Sequence, residues 1–403
     1  MITSSVGPRL DGVARYARGH GWHLMIQDRL GPEHPFDWPC DGVVATIRRD
    51  PRAFAFLRSL VRRGVPVVDL TCDRPAFAVP RVTTDHGAVG RLAAAHFAER
   101  GFRNRVFFSV GWGHVQDLRW RGLSEESPAE RWSLALERPG AARGGARALA
   151  RWLEARLAAA PRPLAALTYS QADAAILLAA AGRLGVAVPD ELAILSGDDD
   201  PLLLENQPVP ISAVDTDLGR SAFEAAALLD RLMRGAPPPR RPRLVAPRGI
   251  VQRRSTDATV AADPLVRAAL AWTAGRLPGR FGAAQLASAL GVSRGTLDRR
   301  FAAELGRGAG AEIRRQRLAL ARRLLRETAR PVAEIARDAG FSSAAYFCTA
   351  FQAETGATPA AWRRANGSGY LTRISVPREP TRRAPMASGI AVSAVHEATS
   401  VQA

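Results

Sequence analysis

The sequence has 403 residues, of which 47% are hydrophobic and 23% charged, a balance typical of a soluble chain with roughly two or three folded domains. Its net charge of +18 comes from arginine alone, since the chain contains no lysine, and this excess favours a polyanionic partner such as nucleic acid. No apolar run reaches the ~18 residues of a membrane span, and the N-terminus lacks an export signal, so we expect a cytoplasmic protein with no membrane partner.

The sequence contains few features that indicate cofactor binding or catalysis. Its three cysteines, Cys40, Cys72 and Cys348, lie far apart, without the spacing of a disulfide framework or a zinc site. The seven histidines are scattered, and we find no phosphate-binding glycine loop, nucleophile elbow or zinc-protease motif. We therefore expect reduced thiols, no metal, no cofactor and no enzymatic activity.

From residue 1 to about residue 255, short apolar runs alternate with helical patterns. The strand-like runs are DGVVATI (41–47), VPVVDL (65–70), RVFFSV (105–110), LAALTY (164–169) and LAILSG (192–197). The clearest helical stretches between them are Val89–Arg100, Ala146–Ala159 and Ala172–Leu184. Strand–helix alternation of this kind predicts an α/β domain of parallel sheets with helices on both faces, in which a ligand binds beyond the carboxyl ends of the strands.

A proline-rich break, GAPPPRRPRL (235–244), leads into LVAPRGIVQRRSTD (244–257), which we interpret as a last extended segment. The pattern is then almost wholly helical from Pro264 to Arg364. The end of the chain has no amphipathic period, and we expect it to be disordered. These features predict an α/β domain over 1–257, a linker over 258–262, an all-α domain over 263–366 and a disordered tail over 367–403.

The helical part contains one motif twice, as FGAAQLASALGVSRGTLDRRF (281–301) and PVAEIARDAGFSSAAYFCTAF (331–351). In each copy a glycine (Gly291, Gly340) suits the positive-φ end of a first helix, and a serine (Ser293, Ser343) suits the cap of a second. Four apolar residues at i,i+4 spacing are expected to face the core: Leu297, Phe301, Phe347 and Phe351. This pattern predicts two helix-turn-helix units, whose second helices enter the DNA major groove.

The second copy, continued as EIARDAGFSSAAYFCTAFQAETGATPAAWR (334–363), resembles the signature of AraC/XylS-type DNA-binding domains. The resemblance implies two recognition helices in successive major grooves on one DNA face. The expected DNA-facing residues are Arg294, Gly295, Asp298 and Arg299 in the first unit and Ser343, Ala345, Tyr346 and Thr349 in the second. We expect Arg299 to read a base, Asp298 to orient it, and the first unit to carry most of the specificity.

The front domain resembles the sugar-binding core of LacI-type regulators and periplasmic sugar receptors, which consists of two lobes closing on a ligand. The domain order resembles the xylose-operon regulator family, in pieces such as YARGHGWHL (16–24), GVAVPDELAILSGDDD (185–200) and ISAVDTD (211–217). This resemblance implies a homodimer that binds operator half-sites and activates a sugar catabolic operon when a monosaccharide, D-xylose for example, binds. The alternative is a DNA-binding regulator that has lost sugar sensing or senses another small ligand.

Four residues are the candidate ligand contacts of the front domain. Asp198 and Asp199 follow the strand-like LAILSG, where a carboxylate suits the hydroxyls of a polyol. The resemblance implies that this pair, usually Asp-Asn in relatives, faces the sugar. It also implies that Arg119 reaches into the cleft, and Trp120 beside it has the ring to stack on a sugar face.

Relatives begin with a buried strand before their first helix, whereas only Met1 and Ile2 precede TSSVGPRLDG in this sequence. We hypothesise that this first strand is missing because translation starts further upstream. Asp85 resembles an aspartate that starts a helix crossing between the lobes, where we expect a structural role or a place at a subunit interface.

Overall fold

The computed structural model describes residues 2–3, 7–25, 40–47, 51–137, 145–261, 263–277 and 279–366. The tail over 367–403, for which we expect disorder, lies outside the described residues. No helix in the described part of the chain is long and apolar enough to cross a membrane.

The N-terminal lobe is built on a parallel three-stranded sheet in the order β1-β2-β3. Its strands and helices are β1 (Ile2–Thr3), α1 (Gly7–Gly19), β2 (Val43–Ala45), α2 (Pro51–Arg62) and β3 (Val67–Asp69). Ile2 and Thr3 form the two-residue β1, which pairs in parallel with Val44 and Ala45 of β2, and the hypothesis of an upstream translation start stays a prediction. This lobe therefore has a strand on either side of β2.

A two-stranded sheet packs in the same lobe, in which β4 (Val82–Thr84) pairs in parallel with β10 (Arg243–Val245) and Val82 and Val245 share a core with Val44 and Val68. Asp85 follows β4 and caps the next helix, since its side chain accepts a hydrogen bond from the Ala88 N–H at 2.8 Å. The expectation that Asp85 starts a helix is therefore confirmed.

The C-terminal lobe has a six-stranded sheet in the order β11-β9-β8-β7-β5-β6. Its strands are β5 (Asn104–Phe108), β6 (Glu130–Trp132), β7 (Leu164–Thr168), β8 (Leu192–Ser196), β9 (Ser212–Asp215) and β11 (Gly249–Val251). All neighbouring pairs are parallel except β11 with β9. Every residue of β7 and β8 is buried, as expected for the middle of a sheet covered on both faces.

Among the described residues, seven helices follow β4 in the α/β domain, in agreement with the predicted class, and the last of them packs against the core of the N-terminal lobe. They are α3 (His86–Ala98), α4 (His114–Ser124), α5 (Leu134–Glu137), α6 (Gly145–Ala159), α7 (Gln171–Arg183), α8 (Pro201–Glu205) and α9 (Leu218–Met233). α3 and α4 pack closely because a Cβ on Gly90 would lie 2.1 Å from the Arg119 carbonyl oxygen and one on Gly122 2.2 Å from the Gly87 carbonyl oxygen. This contact fixes α4, which carries Arg119.

After a single 3-10 turn (Arg254–Thr256) the chain is helical, as predicted. The helices are α10 (Pro264–Ala274), α11 (Ala283–Ala289), α12 (Arg294–Leu305), α13 (Ala309–Glu327), α14 (Val332–Asp338), α15 (Ala344–Thr355) and α16 (Pro359–Asn366). They form two apolar clusters, one around Leu297 and Phe301 and one around Phe347 and Phe351, all four of which are buried as expected. The long α13 contributes to both clusters.

Candidate ligand cleft and nucleic-acid interface

A cleft of about 830 Å³ lies between the two lobes, at the carboxyl ends of strands from both sheets. Its lining includes Thr46 after β2, Thr71 and Asp73 after β3, Ser109 after β5, Tyr169 after β7 and Asp198 after β8. The remainder comes from helix starts and loops: Gly7, Pro8, Arg9, Gly111, Trp112, Gln116, Ser170, Gln171, Asp173, Asp199, Asp200, Pro201 and Leu218. The lining is rich in hydroxyl and carboxylate groups, which is the chemistry that binds polyols.

Arg119 and Asp198 meet at this cleft. The Arg119 Nη2 atom lies 3.0 Å from Asp198 Oδ1, and Nη1 lies 3.4 Å from Oδ2, so the guanidinium holds both carboxylate oxygens. Burial by itself would lower the pKa of Arg119, but the Asp198 carboxylate more than offsets this and the pKa is raised. Arg119 therefore stays charged although its side chain is only 2% exposed.

Two further hydrogen bonds hold the Arg119 guanidinium in place. Its Nε donates to His86 Nδ1 at 3.3 Å, and its Nη1 donates to the Tyr169 carbonyl oxygen at 2.7 Å. Burial and the charge of Arg119 lower the pKa of His86, so the imidazole is neutral and accepts this bond. Gly197 is required beside the guanidinium, because a Cβ there would lie 2.4 Å from Arg119 Nη1 and 2.7 Å from the Thr168 carbonyl oxygen. Arg119 thus fixes the position of Asp198.

Asp199 faces a different partner from its neighbour. Its Oδ1 accepts a hydrogen bond from Arg253 Nη1 at 2.9 Å, while Arg253 also reaches Glu205 and the Ile211 carbonyl oxygen. Burial raises the pKa of Asp199, and the Arg253 charge acts in the opposite direction. Arg253 is the signal in the sequence that we did not use: it stands in the segment IVQRRSTD and neutralises the aspartate that replaces the usual amide.

The aromatic residues of the described cleft lining are Trp112 and Tyr169, and Trp120 is not among the lining residues. The Trp120 indole N–H donates to the Ala129 carbonyl oxygen at 2.8 Å, and the Arg131 guanidinium lies 4.4 Å from its ring centroid. Trp120 thus packs with the apolar core between α3, α4 and the sheet. Trp112, which follows β5 in the loop SVGWGH, was missed because only the loop backbone decides which indole faces the cleft.

Both recognition helices begin as the sequence predicts. The side chain of Ser293 accepts a hydrogen bond from the Thr296 N–H, and Ser343 does the same for the Tyr346 N–H, each at 3.1 Å. Gly291 and Gly340 have φ values of 66° and 81°, so both of the preceding helices end in the left-handed conformation. The two units therefore share one backbone design.

The outward face of α12 carries the arginines expected to meet DNA. Arg294, Gly295 and Arg299 are exposed, and Arg299 makes no hydrogen bond or ion pair with any other described residue. Asp298 does not orient Arg299 as we expected. Its Oδ1 accepts from the Ala309 N–H at 2.9 Å and its Oδ2 lies 3.6 Å from Arg294 Nε, so Asp298 caps α13 instead.

The outward face of α15 is different in chemistry. Ser343, Ala345, Tyr346 and Thr349 are all exposed, and none of them carries a formal charge. The Thr349 hydroxyl donates to the Ala345 carbonyl oxygen within the helix at 3.2 Å, and the Tyr346 side chain is 48% exposed. This helix presents methyl groups and one phenol ring where α12 presents guanidinium groups.

The two domains are joined through a buried carboxylate on α13. Glu312 is 1% exposed and accepts hydrogen bonds from Arg315 at 2.8 Å, from Arg307 at 2.6 Å and from the Thr259 hydroxyl at 3.1 Å. Burial alone would raise its pKa, but the bonds and charges of Arg315 and Arg307 lower it to about 2. Arg307 also donates to the Glu99 carbonyl oxygen at 2.5 Å, so this network ties the helical domain to α3.

Two protein-family models match this chain. A model described as a helix-turn-helix domain matches residues 286–365, from within α11 to within α16. A model described as a periplasmic binding protein-like domain matches residues 94–256, which include the whole six-stranded sheet. One match thus falls in the α/β domain and the other in the helical domain, and the three-stranded sheet of the N-terminal lobe lies outside both.

Curated relatives match along most of the chain. The sequence is 28% identical to the xylose operon regulatory protein of Escherichia coli (strain K12) over 388 residues, which are 90% of this chain and 94% of that protein. It is 26% identical to the protein of the same name from Haemophilus influenzae over 369 residues, 88% of this chain and 94% of that one.

Solved structures show the same fold. A structure titled as the xylose-binding transcription activator xylR covers 91% of this chain and 98% of its own, with a TM-score of 0.58 and 24% identity. A LacI family transcriptional regulator from Mycobacterium smegmatis covers 64% of this chain and 98% of its own, with a TM-score of 0.51 and 19% identity.

Proposed function

We propose that this chain, an AraC-type DNA-binding transcription regulator with a sugar-binding sensor domain, activates a sugar catabolic operon as a cytoplasmic homodimer. The proposed effector is a pentose such as D-xylose, because the relatives that match along 88–90% of the chain are xylose operon regulators by name. The observation that carries the proposal is the presence, in one chain, of a carboxylate-lined cleft between two lobes and a doubled DNA-binding motif. Since the relatives are regulators by name, we propose no catalytic step.

We assign the ligand contacts from the exposed fraction of each side chain and from the hydrogen bonds that it already makes within the protein. Asp198 is the central contact, because it lines the cleft and its side chain remains 26% exposed while Arg119 fixes its orientation. Asp199 also lines the cleft and stays 17% exposed beside Arg253. Arg119 acts through Asp198, since its own donors are used within the protein.

We assign the DNA contacts in the same way. Arg299 reads a guanine, because it is exposed and its guanidinium matches the two acceptors on the guanine edge. Arg294, next to the start of α12, and the exposed groups of α15 contact the backbone and thymine methyl groups. The first unit therefore carries most of the sequence specificity.

In the proposed mechanism, sugar binding draws the two lobes together over the cleft. The DNA-binding domain moves with the C-terminal lobe, because Arg307 and Thr259 join α13 to it. Closure in a dimer then changes the spacing of two DNA-binding domains, and DNA affinity shifts by the difference in sugar affinity between the open and closed states.

Calorimetry on the full chain tests the sensing step with D-xylose, L-arabinose, D-ribose, D-glucose and D-galactose. We expect at least one pentose to bind and to raise the melting temperature. Binding of no sugar would favour the alternative, a DNA-binding regulator that has lost sugar sensing or senses another small ligand. Sedimentation of the full chain checks the proposed dimer.

Fluorescence anisotropy with promoter fragments tests the DNA-binding step, with and without the sugar that binds. We expect tighter binding to paired half-sites than to a scrambled fragment of equal length, and a change on adding sugar. Equal affinity for both fragments would contradict a sequence-specific regulator. Transcription in vitro from the same promoter distinguishes activation from repression.

A further inference from the structure

Gln116 is a buried polar residue in the wall of the cleft. It lies in the first turn of α4, three residues before Arg119, and its side chain is only 9% exposed. It is one of the residues that line the cleft, as are Ser109 and Asp173. Its position places an amide in the wall of the cleft.

The Gln116 side-chain oxygen has no hydrogen-bond partner among the described residues. Arg119, on the same helix, differs in this respect, because each of its three guanidinium nitrogens donates a hydrogen bond to His86, Tyr169 or Asp198. A buried acceptor without a partner costs free energy, so such a group is rare in folded proteins unless a ligand or water completes it. Because Gln116 belongs to the cleft lining, a ligand that enters the cleft is the group that can supply the missing bond.

We infer that Gln116 is a specificity-determining residue that binds one hydroxyl group of the sugar. This inference rests on the sugar-sensing function proposed above and names a residue that reads the sugar. A hydroxyl group fits the site because it both donates and accepts, so it satisfies the amide oxygen and one of the carboxylates nearby. The lining also contains Asp198, after β8, which is the central ligand contact proposed above.

The other buried side-chain atoms without a hydrogen bond do not make the same case. Those of Arg105, Ser124, Arg317, Asp338 and Arg363 belong to residues outside the cleft lining. Arg9 and Thr46 do line the cleft, but each has a partner elsewhere in the protein. Gln116 combines an unpartnered acceptor with a place in the lining, and it is not engaged by a neighbouring arginine.

Gln116→Leu, a change of similar volume that removes the amide, tests the inference in the full chain. The tightest-binding sugar of the calorimetry panel should lose about 3- to 10-fold in affinity, the value of one hydrogen bond. The melting temperature of the sugar-free protein should stay the same or rise, because an unpartnered buried acceptor has been removed. Unchanged sugar affinity would overturn the inference.

Gln207→Leu is the matched control. This glutamine lies outside the cleft lining, where its Nε2 donates to the Leu203 carbonyl oxygen at 2.9 Å. The same chemical change there should leave sugar affinity unaltered. Equal loss in both variants would overturn a specific role for Gln116.

Deoxy analogues of the same sugar separate recognition from structure even if Gln116→Leu lowers the melting temperature. In the native chain, one of the 2-, 3- and 4-deoxy analogues should bind more weakly than the parent sugar. In Gln116→Leu that analogue and the parent should bind equally well. If each analogue loses the same factor in both proteins, the inference fails while sugar sensing stands. If the native chain binds no sugar in the panel, sugar sensing itself fails and the inference fails with it.

Discussion

Arg119 and Asp198 form an ion pair in which the arginine side chain is 2% exposed and the carboxylate is 26% exposed, with Nη2 and Oδ1 3.0 Å apart. The pair joins α4, which carries Arg119, to the segment that follows β8, which carries Asp198. Because the guanidinium is the more deeply buried partner, its charge depends on the carboxylate. The proposed ligand contact at Asp198 and the stability of the lobe therefore depend on the same ion pair.

Asp198→Ala should lower the free energy of unfolding by about 3 kcal/mol, because it leaves the Arg119 charge buried without its counter-ion. Asp117→Ala is the control, since it breaks the exposed pair with Arg121 on the same helix, whose arginine is 68% exposed. That change should cost less than about 1 kcal/mol. Urea unfolding of both variants measures the difference, and equal losses would contradict the account of Arg119.

Gly197→Ala should destabilise the protein by about 1–3 kcal/mol, because the new methyl group meets Arg119 Nη1 and two backbone carbonyl oxygens within 3.0 Å. Gly182→Ala serves for comparison, as nothing lies within 4 Å of a Cβ at that helical position. It should stabilise the protein by up to about 1 kcal/mol. If both substitutions changed the stability in the same direction, the result would contradict the packing described around Gly197.

Asp298→Ala should cost about 1 kcal/mol of stability, since it removes the acceptor for the Ala309 N–H at the start of α13. Asp298→Asn keeps an acceptor oxygen and should retain most of that stability. Thermal unfolding of the two variants gives the comparison. If Asp298 contacted bases and did not cap α13, the alanine and asparagine variants would have the same melting temperature.

Acid should weaken the junction between the domains through Glu312, whose pKa falls from 4.5 to about 2 on folding. A carboxyl group with a depressed pKa stabilises the fold above its unfolded pKa, and the contribution is lost as the pH falls through the folded pKa. We therefore expect the free energy of unfolding to decline between about pH 4.5 and pH 2. In Glu312→Gln this part of the pH profile should flatten, whereas in Glu334→Gln, which alters an exposed pair with Arg330, it should persist.

Arg299→Ala should reduce affinity for the operator by about 1–3 kcal/mol and relax the preference at one base pair. The control is Arg183→Ala, an exposed arginine on α7 that pairs with Glu154. Anisotropy titrations at fixed salt on a set of single-base-pair substitutions compare the two. A uniform loss across all substitutions would make Arg299 a phosphate contact.

The sequence was sufficient to predict the elements with strong patterns. The strand at 192–196 is a continuous apolar run bounded by charged residues, and it lies in the middle of a sheet where both faces are buried. β6 (Glu130–Trp132) was missed, because an edge strand with two exposed charged residues has no apolar run to reveal it. Patterns thus reveal the buried centre of a sheet and leave its edge to the tertiary structure.

Residue roles were harder to predict than elements, because they depend on contacts between distant segments. Arg253 lies 54 positions from Asp199, and no local spacing predicts that the two side chains meet. Asp298 and Ala309 are only 11 positions apart, yet their contact depends on the turn at Gly306, whose φ is 69°. The caps formed by Ser293 and Ser343 were predictable, since a cap is a contact within one helical turn.

α13 has a further consequence for the DNA that this chain selects. Its 19 residues, about 28 Å of helix at 1.5 Å per residue, stand between the two apolar clusters that hold the recognition helices. The length of this helix sets the separation of the two recognition helices, and it is comparable to the ~34 Å pitch of a DNA turn. One residue added to it would advance the second recognition helix by about 100° in rotational phase. The spacing between the two base-pair segments of an operator is therefore encoded in the residue count of a helix that reads no bases itself.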